Sequence, residues 1–244
     1  METNLIALVT GANKGLGLET GRKLAQRGMT VLLGVRDLEK GARAVNELQG
    51  LNVTPVELDV TRAGHIAGAK EYIESRFGRL DVLVNNAGMI HPEEPLFANS
   101  SETVSQDALK ETFDVNFFGQ VALTQALLPL IKKSAAGRIV NVSSILGSLT
   151  LHSDESSDTM QVKPLAYDAS KTALNQFTVH LAAALSGTAV KVNSAHPGWV
   201  KTDLGGRQAP MDVEDGAKTA VKLATIGAEG PTGGFYHFDE EIPW

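Results

Sequence analysis

Cysteine is absent from the 244 residues, which excludes disulfides, thiolate catalysis and Cys-ligated zinc. The six histidines show neither H-x-x-x-H nor H-E-x-x-H spacing, so no metal site is expected. There is no excess of positive charge: the net charge is −6, which gives no sign of a nucleic-acid partner or an anionic membrane surface. No window approaches ~18 consecutive apolar residues, and the opening METNLIALVTGA lacks both a basic stretch and a long apolar core. The cytosol is therefore the expected location. Linkers, internal repeats and low-complexity segments are also missing.

With 43% hydrophobic and 20% charged residues, the chain reads as an ordinary soluble globular protein. Its length suits an open α/β sheet that buries roughly 70–75% of the unfolded surface. Short β-rich runs at 5–9, 30–35, 52–58, 81–84, 138–142, 189–194 and 234–238 alternate with amphipathic stretches near 16–27, 38–49, 63–77, 106–133, 165–185 and 213–225. LIALV and DVLV are apolar on both faces, as strands covered by helices on both sides require. The alternation predicts a single α/β domain over 1–244: a Rossmann-type, doubly wound parallel sheet of about seven strands with helices on both faces. SDESSDTMQVKP, at 153–164, is the one polar break and reads as an insertion.

TGANKGLG, at 10–17, directly follows the first apolar run. A strand, a glycine turn and a helix in that order place a phosphate against helix N–H groups and the positive end of the macrodipole. Gly11 allows the tight turn, Gly15 lets the backbone approach an anion, and Gly17 lets the helix pack on the sheet. The spacing G-x-x-x-G-x-G is neither the G-x-G-x-x-G fingerprint nor a P-loop. Taken alone it fits any glycine-rich connection.

Further motifs resolve this ambiguity. TGxxxGxG resembles the nucleotide fingerprint of the short-chain dehydrogenase/reductase family. NNAG at 85–88, Asn116 in DVNFFG, Ser144 in IVNVSS, Tyr167 and Lys171 in YDASK, and HPGWVKTD at 196–203 follow in the family's order and span nearly the whole chain. GANKG and Trp244 look most like the carbonyl-reductase branch. The resemblance implies catalytic roles for Asn116, Ser144, Tyr167 and Lys171, with Asn116 in a water-linked proton relay through Lys171. It implies cofactor contacts from Gly11, Asn13, Lys14, Gly15, Leu16, Gly17, Arg36, Asp59, Val60, Asn86, Ala87, Gly88, Tyr167, Lys171, Pro197, Gly198, Val200 and Thr202. Asp59 resembles the family's adenine-contacting Asp, although a helix N-cap would look the same.

The residue chemistry agrees with the resemblance. Tyr167 and Lys171, four apart on a helix, share one face. An ammonium and a nicotinamide cation together stabilise a phenolate, and lowering its pKa by ~3 units takes about 4 kcal/mol of differential interaction. Tyr167 then protonates a carbonyl oxygen as hydride reaches its carbon, and Ser144 hydrogen-bonds that oxygen. Ser143 competes for this role; the second serine of VSS is the one the family uses. Ser144 and Tyr167 lie 23 positions apart, a longer interval than most of the family shows. The connection at 148–164, with few apolar anchors, is expected to form a mobile flap over the cleft and to obstruct helix-mediated pairing of subunits.

Cofactor choice is read from the end of the second strand. An enzyme selective for NAD places Asp or Glu there, whereas this chain has Val35 followed by Arg36. Arg36 offers a bidentate fork and Lys14 a point charge, and carbonyl reductases use these positions with Asn13 for a 2′-phosphate. NADPH is the expected cofactor, with Asp37 turned away into the following helix. His196 reads as structural or cleft-lining, and Trp199 and Leu146 as walls of a pocket for a small-molecule carbonyl substrate. The leading function is NADPH-dependent reduction of ketones and aldehydes by a monomer or homodimer. The alternatives are a dedicated reductase of a 3-oxoacyl thioester, sugar or steroid ketone, and a non-enzymatic NADP(H) sensor.

Overall fold

The computed structural model describes residues 5–94 and 96–244; the first four residues of the expected 1–244 domain and Pro95 lie outside them. The first strand, β1 (Ile6–Thr10), is buried along its whole length. Its side chains alternate between two cores, Ala7 and Val9 in one and Ile6 and Leu8 in the other. A strand's two-residue period requires this of a sheet covered on both faces. On one face lie α1 (Gly15–Gln26), α2 (Leu38–Glu47) and α8 (Val213–Ala224), which bury Leu18, Leu24, Ala44 and Val221. On the other lie α3 (Ala63–Phe77), α5 (Gly119–Ile131) and α7 (Leu165–Ala184), which bury Ile73, Leu123, Leu127 and Ala182.

The remaining strands are β2 (Thr30–Val35), β3 (Val53–Glu57), β4 (Val82–Asn85), β5 (Arg138–Val142), β6 (Lys191–Ala195), β7 (Phe235–His237) and β8 (Glu240–Glu241). They form one sheet in the order β3-β2-β1-β4-β5-β6-β7-β8. The first seven in this order pair in parallel, and β8 returns antiparallel to β7. β8 adds a two-residue edge to the seven strands expected. Pro55 is tolerated in β3 because that strand lies at the sheet edge, where a missing N–H breaks no central ladder.

Two expectations need correction. The single helix expected over 106–133 is α4 (Gln106–Phe113), a π-helical segment Asp114–Phe118, and then α5. The break coincides with Asn116, which is fully buried and reaches across to Met89. The segment 148–164 is better anchored than its composition implied. It contains α6 (Leu149–His152) and a 3-10 turn at Asp158–Gln161. Small polar side chains hold it: Ser148 Oγ ties it to the C-terminal segment, donating to Pro243 O at 2.7 Å, and Thr159 Oγ1 closes it on itself, donating to Leu151 O at 2.9 Å. Among the described residues, no helix is long and apolar enough to cross a membrane.

Candidate active site

The strand order reverses between β1 and β4, where loops diverge to opposite sides and leave a crevice at the carboxyl ends of the strands. A cleft of about 1570 Å³ lies there. Its lining comes from segments that follow β1 (Gly11–Gly17), β2 (Arg36), β3 (Asp59–Thr61), β4 (Asn86–Met89), β5 (Ser143–Leu146) and β6 (His196–Gly205). Each of the eighteen residues expected to contact a cofactor lines it, as do Ser144, Trp199 and Leu146. Asn116 does not.

The glycine turn packs tightly at Gly11 and too closely for a side chain at Gly17. Gly11 has φ +65°, and a Cβ there would stand 3.1 Å from Ala87 Cα. A Cβ on Gly17 would meet Asn86 Nδ2 and Gly11 O at 2.5 Å. Thr10 Oγ1 locks the turn to the NNAG segment by accepting from the amides of Asn86 at 3.0 Å and Ala87 at 2.9 Å. Asn86 Nδ2 donates back to Thr10 O at 2.8 Å. No side chain caps α1 and no acid stands in its first turn, so its N–H end faces the cleft open to an anion.

Charges at one end of the cleft sort as the sequence suggests, with one addition. Arg36 is exposed there, while Val35 is buried. Asp37 Oδ1 accepts from Glu39 N at 2.9 Å and Lys40 N at 3.2 Å, which makes it the cap of α2 and turns it away from the cleft. Lys14 forms an ion pair with Asp203, and this partner was not foreseen. The hydrogen bond and charge of Lys14 hold the Asp203 carboxyl below its ordinary range. Asp59 is not the N-cap of α3, a position taken by Arg62. It closes a turn, accepting from Thr61 N at 3.0 Å and Thr61 Oγ1 at 2.7 Å. Burial raises its pKa, but these bonds and the charges of Arg36 and Arg62 outweigh that, leaving it below the usual value.

Deeper in the cleft, the Ser144 hydroxyl stands beside the Tyr167 phenol and favours its ionised form, and Lys171 Nζ lies 5.6 Å from the centre of the Tyr167 ring. Lys171 Nζ donates to Val142 O at 2.9 Å. Ser143 turns away from the phenol, its hydroxyl 3.5 Å from Lys171 O. The segment after Ser144 is fixed against α7 by Gly147, where a Cβ would strike Lys171 C at 2.8 Å, and by Thr172 Oγ1 donating to Gly147 O at 3.1 Å. His196 helps by accepting the Ile145 amide at 3.3 Å; burial and the neighbouring His237 push its pKa down to about 3, so it stays neutral. Beneath, a fully buried polar chain ties the sheet to α7. Asn85 Nδ2 donates to Asn141 Oδ1, Asn141 Nδ2 donates to Thr178 Oγ1, and the hydroxyls of Thr178 and Ser194 are paired, each contact at 2.8 Å. In such low-dielectric surroundings satisfied polar bonds are strong and directional, which fixes the height of α7 against the strands.

Burial sets both titratable groups. It lowers Lys171 to about 8 and pushes the Tyr167 phenol above its ordinary value, which the Ser144 bond opposes and the charge of Asp168 reinforces. Desolvation is the largest influence on the phenol in the protein without its cofactor, whereas the lowering expected from the sequence counts a nicotinamide cation beside the ammonium. The side chain of Asn116 lies near Lys171, both 3.4 Å from where a Cβ on Gly88 would stand, and bonds the loop after β4. Its Oδ1 accepts from Met89 N and its Nδ2 donates to Met89 O, both at 2.8 Å, and Nδ2 also donates to Ser170 Oγ at 3.0 Å. Glu94 is a buried acid beside Tyr167 that no sequence motif marked.

Fold and site together define an open α/β protein of the Rossmann type whose crevice brings a glycine turn to a buried serine, tyrosine and lysine. Residues 5–212 match the model of the short chain dehydrogenase family. The chain belongs to that family, in its carbonyl-reductase-like branch, and is an oxidoreductase by class. It is 34% identical over 290 residues to short-chain dehydrogenase/reductase 1 of Saponaria officinalis, covering 98% of this chain and 95% of that one. It is 33% identical to carbonyl reductase [NADPH] 1 of Mus musculus, with 98% of each chain covered. Among solved structures, carbonyl reductase Sniffer of D. melanogaster superposes with TM-score 0.84 at 30% identity over the whole of both chains. The NADPH-bound carbonyl reductase from chicken fatty liver gives TM-score 0.84 at 26% identity, over 99% of this chain and 100% of that one.

Proposed function

We propose that this chain reduces ketone and aldehyde carbonyls to alcohols with NADPH. The observation that carries the reading is the Ser144–Tyr167 hydroxyl pair, with Lys171 behind it, on the wall of a cleft whose far end is the glycine turn. The cleft exceeds the ~300–1,000 Å³ of a pocket for one small molecule, which suits a dinucleotide and a substrate side by side. The uncapped start of α1 and the cradle at Gly11 and Gly17 fit a pyrophosphate, and Arg36 with Lys14 fits a 2′-phosphate. When bound, NADPH supplies the hydride.

The residues do the rest. Ser144 holds the carbonyl oxygen by a hydrogen bond and orients it toward Tyr167. Burial keeps the Tyr167 phenol protonated at neutral pH, so it is ready to donate to that oxygen as charge develops. Lys171, still largely cationic below pH 8, stabilises the phenolate left behind. Asn116 holds Met89 and, with it, the loop after β4 beside Lys171. Phe97 and Trp199 meet edge-on at 6.0 Å, and with Leu146 they give an apolar wall suited to a hydrophobic carbonyl compound. A protein that only senses NADP(H) has no need of this acid.

Tyr167→Phe tests the reading, because it removes the hydroxyl and keeps the ring. Ketone reduction followed by NADPH absorbance should fall at least ~10²-fold while NADPH affinity stays within about twofold. Retention of most activity refutes the assignment. Ser144→Ala should be more damaging than Ser143→Ala, and the reverse order would exchange their roles.

A further inference from the structure

Helix α7, which carries Tyr167 and Lys171, starts without a cap of its own. Pro164 occupies the N-cap position and makes no capping bond. Proline also brings no N–H, so Leu165, Ala166 and Tyr167 hold the unpaired amides of the first turn. All three find acceptors on a loop 65 to 73 positions away. Ser100 Oγ accepts from Leu165 N at 2.8 Å, Glu94 Oε1 from Ala166 N at 2.7 Å, and Glu94 Oε2 from Tyr167 N at 3.2 Å. Ser100 Oγ donates to Glu94 Oε1 at 2.7 Å, which joins the two acceptors into one unit. Ser100 N also donates to Lys163 O at 3.1 Å.

Glu94 is only 4% exposed, so this is a buried carboxylate with both oxygens committed. Charge-assisted bonds from backbone amides are short and directional, and an anion is favoured at the positive end of a helix. One of the two amides belongs to Tyr167 itself. The carboxylate therefore fixes the backbone of the residue whose hydroxyl meets Ser144. It also ties the loop after β4 to α7, both of which line the cleft.

We propose that Glu94 is the positioning residue for Tyr167, holding the first turn of α7 so that the phenol stands at the substrate oxygen. This rests on the reading of Tyr167 as proton donor. Glu94→Gln is the direct perturbation: it keeps the shape, removes the charge, and turns an N–H₂ toward an amide donor. A displacement of ~1 Å costs up to ~10²-fold in rate, so a partial shift should lower kcat for a ketone by about tenfold. KM for NADPH should stay within about twofold, since Arg36 and the glycine turn lie at the other end of the cleft. Glu94→Asp, which keeps charge and both acceptors on a shorter stem, should restore part of the rate.

The decisive measurement is a double-mutant cycle. In a Tyr167→Phe background the Glu94→Gln change should have no further effect on kcat, because the hydroxyl it positions is gone. An equal loss in both backgrounds means that Glu94 supports the fold alone and overturns the proposal, as does a wild-type kcat in Glu94→Gln. Full activity in Tyr167→Phe alone instead overturns the functional reading. Should Glu94→Gln not yield folded enzyme, Ser100→Ala enters the same cycle. A loss of about threefold confined to the Tyr167 background supports the proposal, and an unchanged kcat refutes it.

Discussion

Replacing Arg36 by alanine tests how the chain reads its cofactor, and the structure sets the size of the effect. Val35 is buried and Asp37 is occupied by two amide bonds at the start of α2, so no carboxylate competes for a ribose at this position. Hydrogen bonds to a charged group contribute about 1.5–3 kcal/mol, which is ~10- to 150-fold in affinity. Arg36 is exposed, its fork is already hydrated in the free enzyme, and the gain therefore belongs at the low end, about tenfold. Lys14 contributes less, because a phosphate must draw it away from Asp203. The assay is kcat/KM for NADPH and for NADH with one ketone, at low and high salt. Arg36→Ala should cut the NADPH value about tenfold, leave the NADH value nearly unchanged, and flatten the salt dependence of NADPH use. Lys14→Ala should do the same more weakly. Equal losses with both cofactors would show that Arg36 does not meet the 2′-phosphate.

Two further outcomes follow from the site. Burial lowers Lys171 to about 8, so kcat for reduction should be level from pH 6 to 7.5 and fall as pH rises through about 8, where the ammonium loses its proton. Lys171→Arg, whose charge does not titrate in this range, should remove that limb whatever its effect on the rate, and a limb that persists belongs to another group. The segment 155–162 lines the cleft, so deleting 154–158, which spares the buried Thr159, should change relative kcat/KM for bulky and small ketones and leave NADPH affinity intact. Unchanged ratios across a ketone panel would mean that this segment sets no limit on the substrate.

The features that could be read from the sequence are those encoded by neighbouring residues. β1 and β2 announce themselves because both faces are apolar, and the glycine turn because its three glycines sit within seven residues. Tyr167 and Lys171 share a helix face by spacing alone. The unforeseen features depend on distant or very small elements. The Lys14–Asp203 pair joins residues 189 positions apart, and the Glu94 bonds span 72 and 73. The π segment at Asp114–Phe118 widens a helix without leaving a mark in its composition, and β8 is too short for any periodicity. Spacing put an ammonium near the phenol, but only the packing reveals how strongly burial opposes its ionisation in the protein without cofactor.

The cap on α7 also has a consequence for the order in which the molecule assembles. α2 carries its own closure, since Asp37 bonds amides two and three residues ahead and can do so as soon as that turn coils. The first turn of α7 has no such local means. Its amides are satisfied only after a loop of 65 to 73 residues, with α4, α5 and β5 inside it, has closed. Until then this turn frays in water, and Tyr167 lies within it. With Tyr167 as the proposed proton donor, competence for catalysis would arrive with the docking of Glu94 and Ser100, not with the helix that bears the tyrosine. On the same proposal, a chain that had built its whole sheet and every helix, but left Glu94 and Ser100 undocked, would be nearly native and inactive.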